Sequence, residues 1–232
     1  MAYHHHHGEG HTACVRLVPI FNHLSDEQMD LIATSAHTKK VSKNELLFRV
    51  GEKDNTLYII SSGRIRIYQL NESGREQTIR ILNPGDFTGE VAIFQSDKRH
   101  HSYAVAALDT TVCMLHKADL DNHLDNYPEI TRRILADVTQ RLQISEKQTT
   151  QVGIENVTSR IVAFLADYVA DENNHTFVDL PMTRKDLASY LGTTPETISR
   201  KFSALEEQDL IRQHGKNRIE IMDLDKLLFS VK

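Results

Sequence analysis

A short segment near the C-terminal end carries an acid, a hydroxyl and a guanidinium at helical spacing. Glu196, Ser199 and Arg200 are three and four residues apart, so they share one face of a helix. Such groups match base edges in the major groove of DNA: arginine donates twice to guanine, glutamate accepts from cytosine, and serine contacts several edges. The spacing therefore predicts a helix that reads DNA, with an ordinary charged surface helix as the alternative.

The residues around this trio predict two helices joined by a tight turn. Gly192 ends the first helix, residues 183–191, because glycine adopts a positive φ at little cost. Pro195 suits the first turn of the second helix, where its missing N–H has no intrahelical partner. Opposite the polar trio, the second helix carries an apolar face made of Ile198, Phe202 and Leu205. This pattern is typical of a helix-turn-helix motif that reads DNA near the start of its second helix.

The segment ETISR, residues 196–200, follows TRKDLASYLG and resembles the recognition helix of the CRP/FNR superfamily of bacterial transcription regulators. The likeness is closest to the FNR branch, because the cyclic-AMP receptor branch has arginine and glycine where this chain has Pro195 and Ser199. It covers nearly the whole chain after residue 14. The resemblance implies a homodimer that binds double-stranded DNA at a TTGAT-N4-ATCAA palindrome and acts with RNA polymerase, as an activator or a repressor.

Further side chains are expected to contact the DNA backbone: Thr183, Arg184, Thr193, Thr194, Lys201 and Lys216. Lys216 falls at the turn of a predicted two-stranded wing, residues 210–222. The whole chain has a net charge of −5, and residues 157–232 contain 10 Lys and Arg against 12 Asp and Glu, a net of −2. We therefore expect modest nonspecific affinity, with base contacts and dimerisation providing much of the discrimination.

The order of patterns predicts an α+β fold: an N-terminal antiparallel β-roll or double-sheet barrel, a long dimerisation helix and a C-terminal winged helix-turn-helix. Residues 15–40 look like a helical lead-in, in which Ser25 and Gln28 have capping-box spacing. Residues 41–115 change to short runs of period two, separated by glycine-rich turns. The predicted domains are a flexible His-rich tail, a sensor, a dimer helix and a DNA-binding domain, at residues 1–13, 14–127, 128–155 and 156–232.

The long helix carries side chains spaced 3, 4, 3, 4 and 3 residues apart, which is a heptad seam. Its members are Leu135, Val138, Leu142, Ser145, Thr149 and Val152. A helix-turn-helix reader binds paired half-sites, so we expect this seam to join two copies in parallel. Packing only within its own domain is the alternative.

The predicted sensor has part of a cyclic-nucleotide pocket by resemblance to the superfamily. Glu90 stands where the family contacts a ribose, but His100 replaces the arginine that pairs with phosphate, and Ser145 is followed by Glu146 rather than serine. A neutral imidazole lacks the permanent, bidentate charge that a phosphate prefers, so the sequence argues against cyclic AMP. Another small ligand, haem or a metal remains open.

The chain has two cysteines, Cys14 and Cys113. Two thiolates fall short of the four that usually hold an iron–sulfur cluster, which argues against one unless histidines substitute. The pair resembles that of Flp, the FNR-like proteins of lactic acid bacteria, and this resemblance implies a reversible disulfide. The alternative is a buried, inert Cys113 beside Val112 and Met114.

The remaining composition excludes several classes. His4, His5, His6, His7 and His11 are candidate metal ligands, or part of a tag or tail. No apolar run reaches about 18 residues and no apolar leader is evident, so a cytoplasmic protein with no membrane partner is expected. A cupin-like metal enzyme would need a His-x-His pair, whereas His100 and His101 are adjacent. We therefore expect a regulator rather than an enzyme.

Overall fold

The computed structural model describes residues 14–154, 156–169 and 177–231. The chain divides into two compact units. One contains the residues up to Gln69 together with Ile79–Arg141, and the other contains Leu70–Thr78 together with the residues from Leu142 onward.

The first unit is built on two antiparallel sheets, with strand orders β1-β8-β3-β6 and β2-β7-β4-β5. The strands are β1 (His37–Val41), β2 (Leu46–Phe48), β3 (Thr56–Ser62), β4 (Ile65–Leu70), β5 (Glu76–Leu82), β6 (Phe87–Thr88), β7 (Tyr103–Ala106) and β8 (Thr110–His116). The helices are α1 (Asp26–Thr34), α2 (Glu90–Phe94), α3 (Lys117–Asn126) and the first part of α4 (Pro128–Ile154), after a 3-10 turn at Pro19–Phe21. The predicted double-sheet fold is confirmed.

Strand β3 separates two apolar cores. Leu57 and Ile59 belong to one cluster, which also contains the N-terminal segment and the start of α4, whereas Tyr58 and Ile60 belong to the other. Successive strand side chains point to opposite faces, so a run of buried residues supplies both cores at once. This explains why β3 is apolar throughout most of its length rather than alternating.

The helical lead-in is shorter than predicted. Ser25 and Gln28 form the expected capping box, but α1 ends at Thr34 and His37–Val41 is a strand. Prediction of helix up to residue 40 was wrong because β1 pairs along its whole length with β8, a partner more than 60 residues away. Sequence patterns also missed α2, which follows Gly89, an N-cap residue with a φ of 95°.

The second unit contains the predicted winged helix-turn-helix. Its helices are α5 (Val157–Asp167), α6 (Arg184–Tyr190), α7 (Pro195–Glu207) and α8 (Leu224–Phe229). The wing strands are β9 (Phe177–Asp179), β10 (Ile211–His214) and β11 (Arg218–Ile221), in the order β10-β11-β9. Only β10 and β11 were predicted as strands. The long helix α4 has 27 residues and runs from one unit into the other.

A buried ion cluster joins α4 to the β-roll. The Glu90 side chain receives Arg80 Nη2 at 2.7 Å and Arg141 Nη1 at 3.0 Å, both on the same carboxylate oxygen. The Arg141 guanidinium also covers the ring of Phe87, with its carbon 4.2 Å from the ring centroid. Burial alone would raise the pKa of Glu90, but Arg80 and Arg141 lower it below its usual value. The carboxylate therefore stays ionised between two cations.

We predict that Glu90→Gln destabilises the protein by about 2–3 kcal/mol, because Arg80 and Arg141 both lose the carboxylate that they share, which leaves Asp137 as the carboxylate beside Arg141. Since the pKa of Glu90 is lowered by folding, its contribution is present above the unfolded value and is lost as the pH falls through the folded value. Urea unfolding at pH 7 and at pH 3 measures both effects. Glu72→Gln, at an exposed turn residue, is the control. Equal stability of Glu90→Gln and the parent at pH 7 would contradict the role of the cluster.

Candidate nucleic-acid interface

The start of each helix in the motif, and the turn between the two helices, lie where the sequence predicts. Thr183 accepts the Asp186 N–H at the start of α6, and Thr194 accepts the Thr197 N–H at the start of α7. Between them Gly192 has a φ of 65°. Local capping and a positive φ at glycine therefore mark where the first helix ends and where the second begins.

Helix α7 has two faces of opposite character. Ile198 and Phe202 are fully buried and Leu205 is 2% exposed. The other face is exposed to solvent and carries the predicted base-reading residues Glu196, Ser199 and Arg200. The structure thus places an acceptor, a hydroxyl and a bidentate donor together on one accessible surface.

Glu196 lies in the first turn of α7, where backbone N–H groups are not satisfied within the helix. Two hydrogen bonds lower the pKa of Glu196: the larger effect comes from its own backbone N–H and the smaller one from the Thr194 side chain. The side chain is therefore a carboxylate at neutral pH. This form is acceptor-only and carries a negative charge, so it is the stronger acceptor for a hydrogen bond from the amino group of cytosine.

A buried arginine supports the motif from behind. Arg160 on α5 is 7% exposed, and its Nε donates to the carbonyl oxygen of Leu191 at 3.0 Å. The carbonyls at the end of a helix need such donors. Sequence analysis did not identify this residue, although a lone arginine among the apolar residues of α5 is a usable signal.

Four side chains that share one face of the wing sheet contact each other. The Phe177 ring lies 5.5 Å from that of His214, and the Arg218 guanidinium lies 4.5 Å from the Phe177 centroid. His214 also contacts Glu220 across the strands at 2.7 Å. Lys216 projects from the exposed turn between β10 and β11, where a cation can reach a DNA phosphate.

The other predicted backbone contacts differ in what their side chains do. Thr183 and Thr194 use their hydroxyls as helix caps, while Thr193 and Lys201 are half-buried. Arg184 is also half-buried, and its guanidinium forms hydrogen bonds within the protein.

The heptad seam is accessible in the single chain. Leu135, Val138 and Leu142 are 65%, 38% and 57% exposed, and Ser145 is also exposed. The side chains of Thr149 and Val152 lie outside the described residues. An exposed apolar stripe of this kind on a long helix favours a partner helix.

The two predicted pocket residues in the β-roll are engaged with different partners. Glu90 binds Arg80 and Arg141 as described above, whereas His100 is 3% exposed and its Nε2 lies 2.9 Å from Asp54 Oδ2. The His100 ring stacks on Phe48 at 3.6 Å.

The carboxylate that holds His100 is itself well satisfied. Although burial would raise the pKa of Asp54, hydrogen bonds from His100, Tyr58 and Thr56 lower it. Tyr58 donates its hydroxyl to the same oxygen at 2.7 Å. His100 is thus built into a polar cluster with Asp54 and Tyr58. The third pocket candidate, Ser145, lies on α4.

Cys14 and Cys113 are joined by a disulfide, with their Cα atoms 6.4 Å apart. Both are buried, at 1% and 0% exposed, in the apolar core that includes the N-terminal segment. The structure therefore brings together the two residues predicted to form a redox pair.

The predicted histidine ligands His4–His7 and His11 lie outside the described residues. Within the described ranges, no group of three or more His, Cys, Asp or Glu side chains is arranged to hold a metal ion. Among the described helices, none is both long enough and apolar enough to span a membrane.

Two family models match the chain in the order of its two units. A cyclic nucleotide-binding domain matches residues 38–127, and a Crp-like helix-turn-helix domain matches residues 159–228.

Curated relatives and solved structures agree with these matches. The chain is 30% identical to a probable transcriptional regulator, flp, of Lacticaseibacillus casei, over 93% of this chain and 96% of that protein. It is 31% identical to an anaerobic regulatory protein of Haemophilus influenzae, over 88% of this chain and 80% of that protein. The structure of FixK2 from Bradyrhizobium japonicum superposes with a TM-score of 0.73 at 25% identity, over 85% and 97% of the two chains.

These relatives are regulators, which confirms the expectation that the chain is not an enzyme. Similarity along nearly the full length, together with the match to a Crp-like reader, shows that the chain belongs to the CRP/FNR family of DNA-binding transcription regulators.

Proposed function

We propose that the chain acts in the cytoplasm as a homodimer that reads an FNR-like palindrome of the TTGAT-N4-ATCAA type. The observation that carries this proposal is the exposed face of α7, where Glu196, Ser199 and Arg200 stand opposite a fully buried apolar face. Arg200 reads guanine, Glu196 the cytosine region of the opposite strand, and Ser199 an adjacent thymine.

A second copy explains two further features. The exposed stripe of α4 gains an apolar partner, and a dimer presents two reading helices to the two halves of a palindrome. Once bound beside a promoter, such a dimer recruits RNA polymerase, which makes it an activator at those sites.

A thiol switch is the control mechanism best supported by the geometry. The Cα separation of 6.4 Å falls within the range that a disulfide spans. Oxidation joins two thiols with the loss of two electrons and two protons, which oxidised glutathione accepts as it becomes two reduced molecules. A family whose relatives include an anaerobic regulatory protein suits a signal of this kind.

Control by a small ligand in the β-roll is the second candidate, and the match to a cyclic nucleotide-binding domain supports it. Haem, a metal and a cyclic nucleotide are the classes to consider. The ion cluster at Glu90 and the Asp54 pairing of His100 favour a ligand other than cyclic AMP.

We expect Arg200→Ala to weaken binding to the palindrome by about 1–3 kcal/mol and to abolish the preference for guanine at the contacted position. Fluorescence anisotropy on the palindrome and on a copy with that G·C pair changed measures both quantities. Arg212→Ala removes an exposed cation from the wing and serves as the matched control. An equal loss on random DNA would mean that Arg200 contacts only phosphate.

The thiol switch predicts that DNA affinity differs by about fivefold or more between the oxidised and reduced protein, because coupling between sites has this typical size. Titrations after equilibration with oxidised or reduced glutathione measure the difference. Cys14→Ser and Cys113→Ser should each remove it. A Cys113→Ser protein that still responds to oxidised glutathione like the parent would refute the switch.

Cyclic AMP should show no binding at micromolar concentrations in isothermal calorimetry, because His100 offers its phosphate no permanent charge. The same titration after Glu90→Gln should also be silent. Heat of binding with a micromolar dissociation constant would overturn this reading and would favour the ligand-controlled alternative.

A further inference from the structure

The proposed function requires the exposed tip of the wing to be held in a fixed position relative to the reading helix α7. Lys216 follows Gly215, whose φ is 72°, on a turn that extends beyond the paired strands. A phosphate contact from this turn needs the wing to keep a fixed position relative to α7, since both must meet the same duplex. Strand pairing alone fixes the wing to itself but does not set its position beside the helix.

Arg184 links the wing turn to the helices of the motif. Its Nε donates to the backbone carbonyl oxygen of Lys216 at 3.1 Å, and its Nη2 donates to Gln213 Oε1 at 2.8 Å. Its guanidinium carbon lies 5.1 Å from the ring centroid of Phe202, on the buried side of α7. One side chain on α6 therefore contacts both the wing and the reading helix.

Gln213, the wing residue that accepts a hydrogen bond from Arg184, is itself bonded to Glu206. Gln213 donates its backbone N–H to Glu206 Oε1 at 2.8 Å and its side-chain Nε2 to Glu206 Oε2 at 2.6 Å. Because Glu206 lies near the end of α7, these bonds tie β10 to the same helix that carries Arg200. Arg184, Gln213 and Glu206 thus form a continuous set of contacts, called here the wing clamp.

We propose that Arg184 is a positioning residue for DNA recognition: through the wing clamp it holds Lys216 in register with the reading face of α7. The proposal rests on the proposed DNA-reading function. It assigns Arg184 a role different from the phosphate contact expected from sequence, since two of its donors bond within the protein. A lysine cannot replace it, because one ammonium cannot supply the planar fork that bonds two acceptors while stacking on a ring.

The test compares Arg184→Lys, Arg184→Gln, Lys216→Gln and the double variant Arg184→Lys/Lys216→Gln in the full-length protein. Affinity for the palindrome is measured between 50 and 300 mM KCl, because each lost phosphate contact lowers the slope of log affinity against log salt by about 0.9. Lys185→Gln is the matched control, since it removes a neighbouring exposed charge.

The clamp predicts that Arg184→Lys keeps the charge yet lowers affinity roughly tenfold and reduces the slope by about one, as Lys216→Gln does. The double variant should be little worse than either single variant. Parent-like affinity and slope in Arg184→Lys would overturn the proposal, as would additive losses in the double variant. A lower unfolding temperature in Arg184→Lys with an unchanged slope would show a purely structural role and would also overturn it.

A second measurement separates this proposal from the proposed function. Amide hydrogen exchange of residues 212–219 in the DNA-free protein should accelerate in Arg184→Lys and Arg184→Gln but not in Lys185→Gln. If the parent showed no preference for the palindrome, the DNA-reading function would fail while the exchange data still tested the clamp. Unchanged exchange in both Arg184 variants would refute the clamp even if the parent read DNA as proposed.

Discussion

The burial of Ile198, Phe202 and Leu205 is the constraint on which the second unit depends. With 3.6 residues per turn, the apolar and polar residues of this helix fall on opposite sides, so burying the apolar side points the polar side away from the core. Once the apolar side is fixed in the core, Glu196 and Arg200 have only solvent to face. Specificity in such a reader therefore originates in packing, because the core determines which polar groups reach a partner.

In both units, several buried and half-buried charged side chains are paired with other side chains of the protein. In the β-roll unit, Glu90 pairs with Arg80 and Arg141, Asp137 pairs with Arg141, and Asp54 holds His100 in the interior. In the second unit, Glu206 on α7 and Gln213 on β10 organise the surroundings of Arg184. Charges that serve the fold are thus committed to protein partners, while Arg200 and Lys216 stay exposed. This division agrees with the expectation that a chain of net charge −5 would contact DNA through a small local set of cations.

Sequence reasoning succeeded where structure is set by near neighbours. The caps at Thr183 and Thr194, the turn at Gly192 and the two faces of α7 all depend on residues within about eight positions of one another. It failed where distant segments decide. His37–Val41 became a strand through pairing with β8, and the partners of Glu90 come from 10 and 51 residues away. The hydrogen bonds of Arg184 to Gln213 and Lys216 could not be predicted for the same reason. The sequence does not show which acceptors the fold brings close to a given donor.

The position of Cys113 within its sheet has a consequence for how a redox signal would travel. Strand β8 is bonded on both sides, with Thr38 on one edge and Ile59 on the other opposite Cys113. A sulfur anchored in a central strand can move little, so breaking the disulfide would release the segment around Cys14 instead. That segment shares its apolar core with Ile130 and Ile134 at the beginning of α4. Loss of the disulfide would therefore loosen the packing around the N-terminal end of α4 and leave the sheet intact.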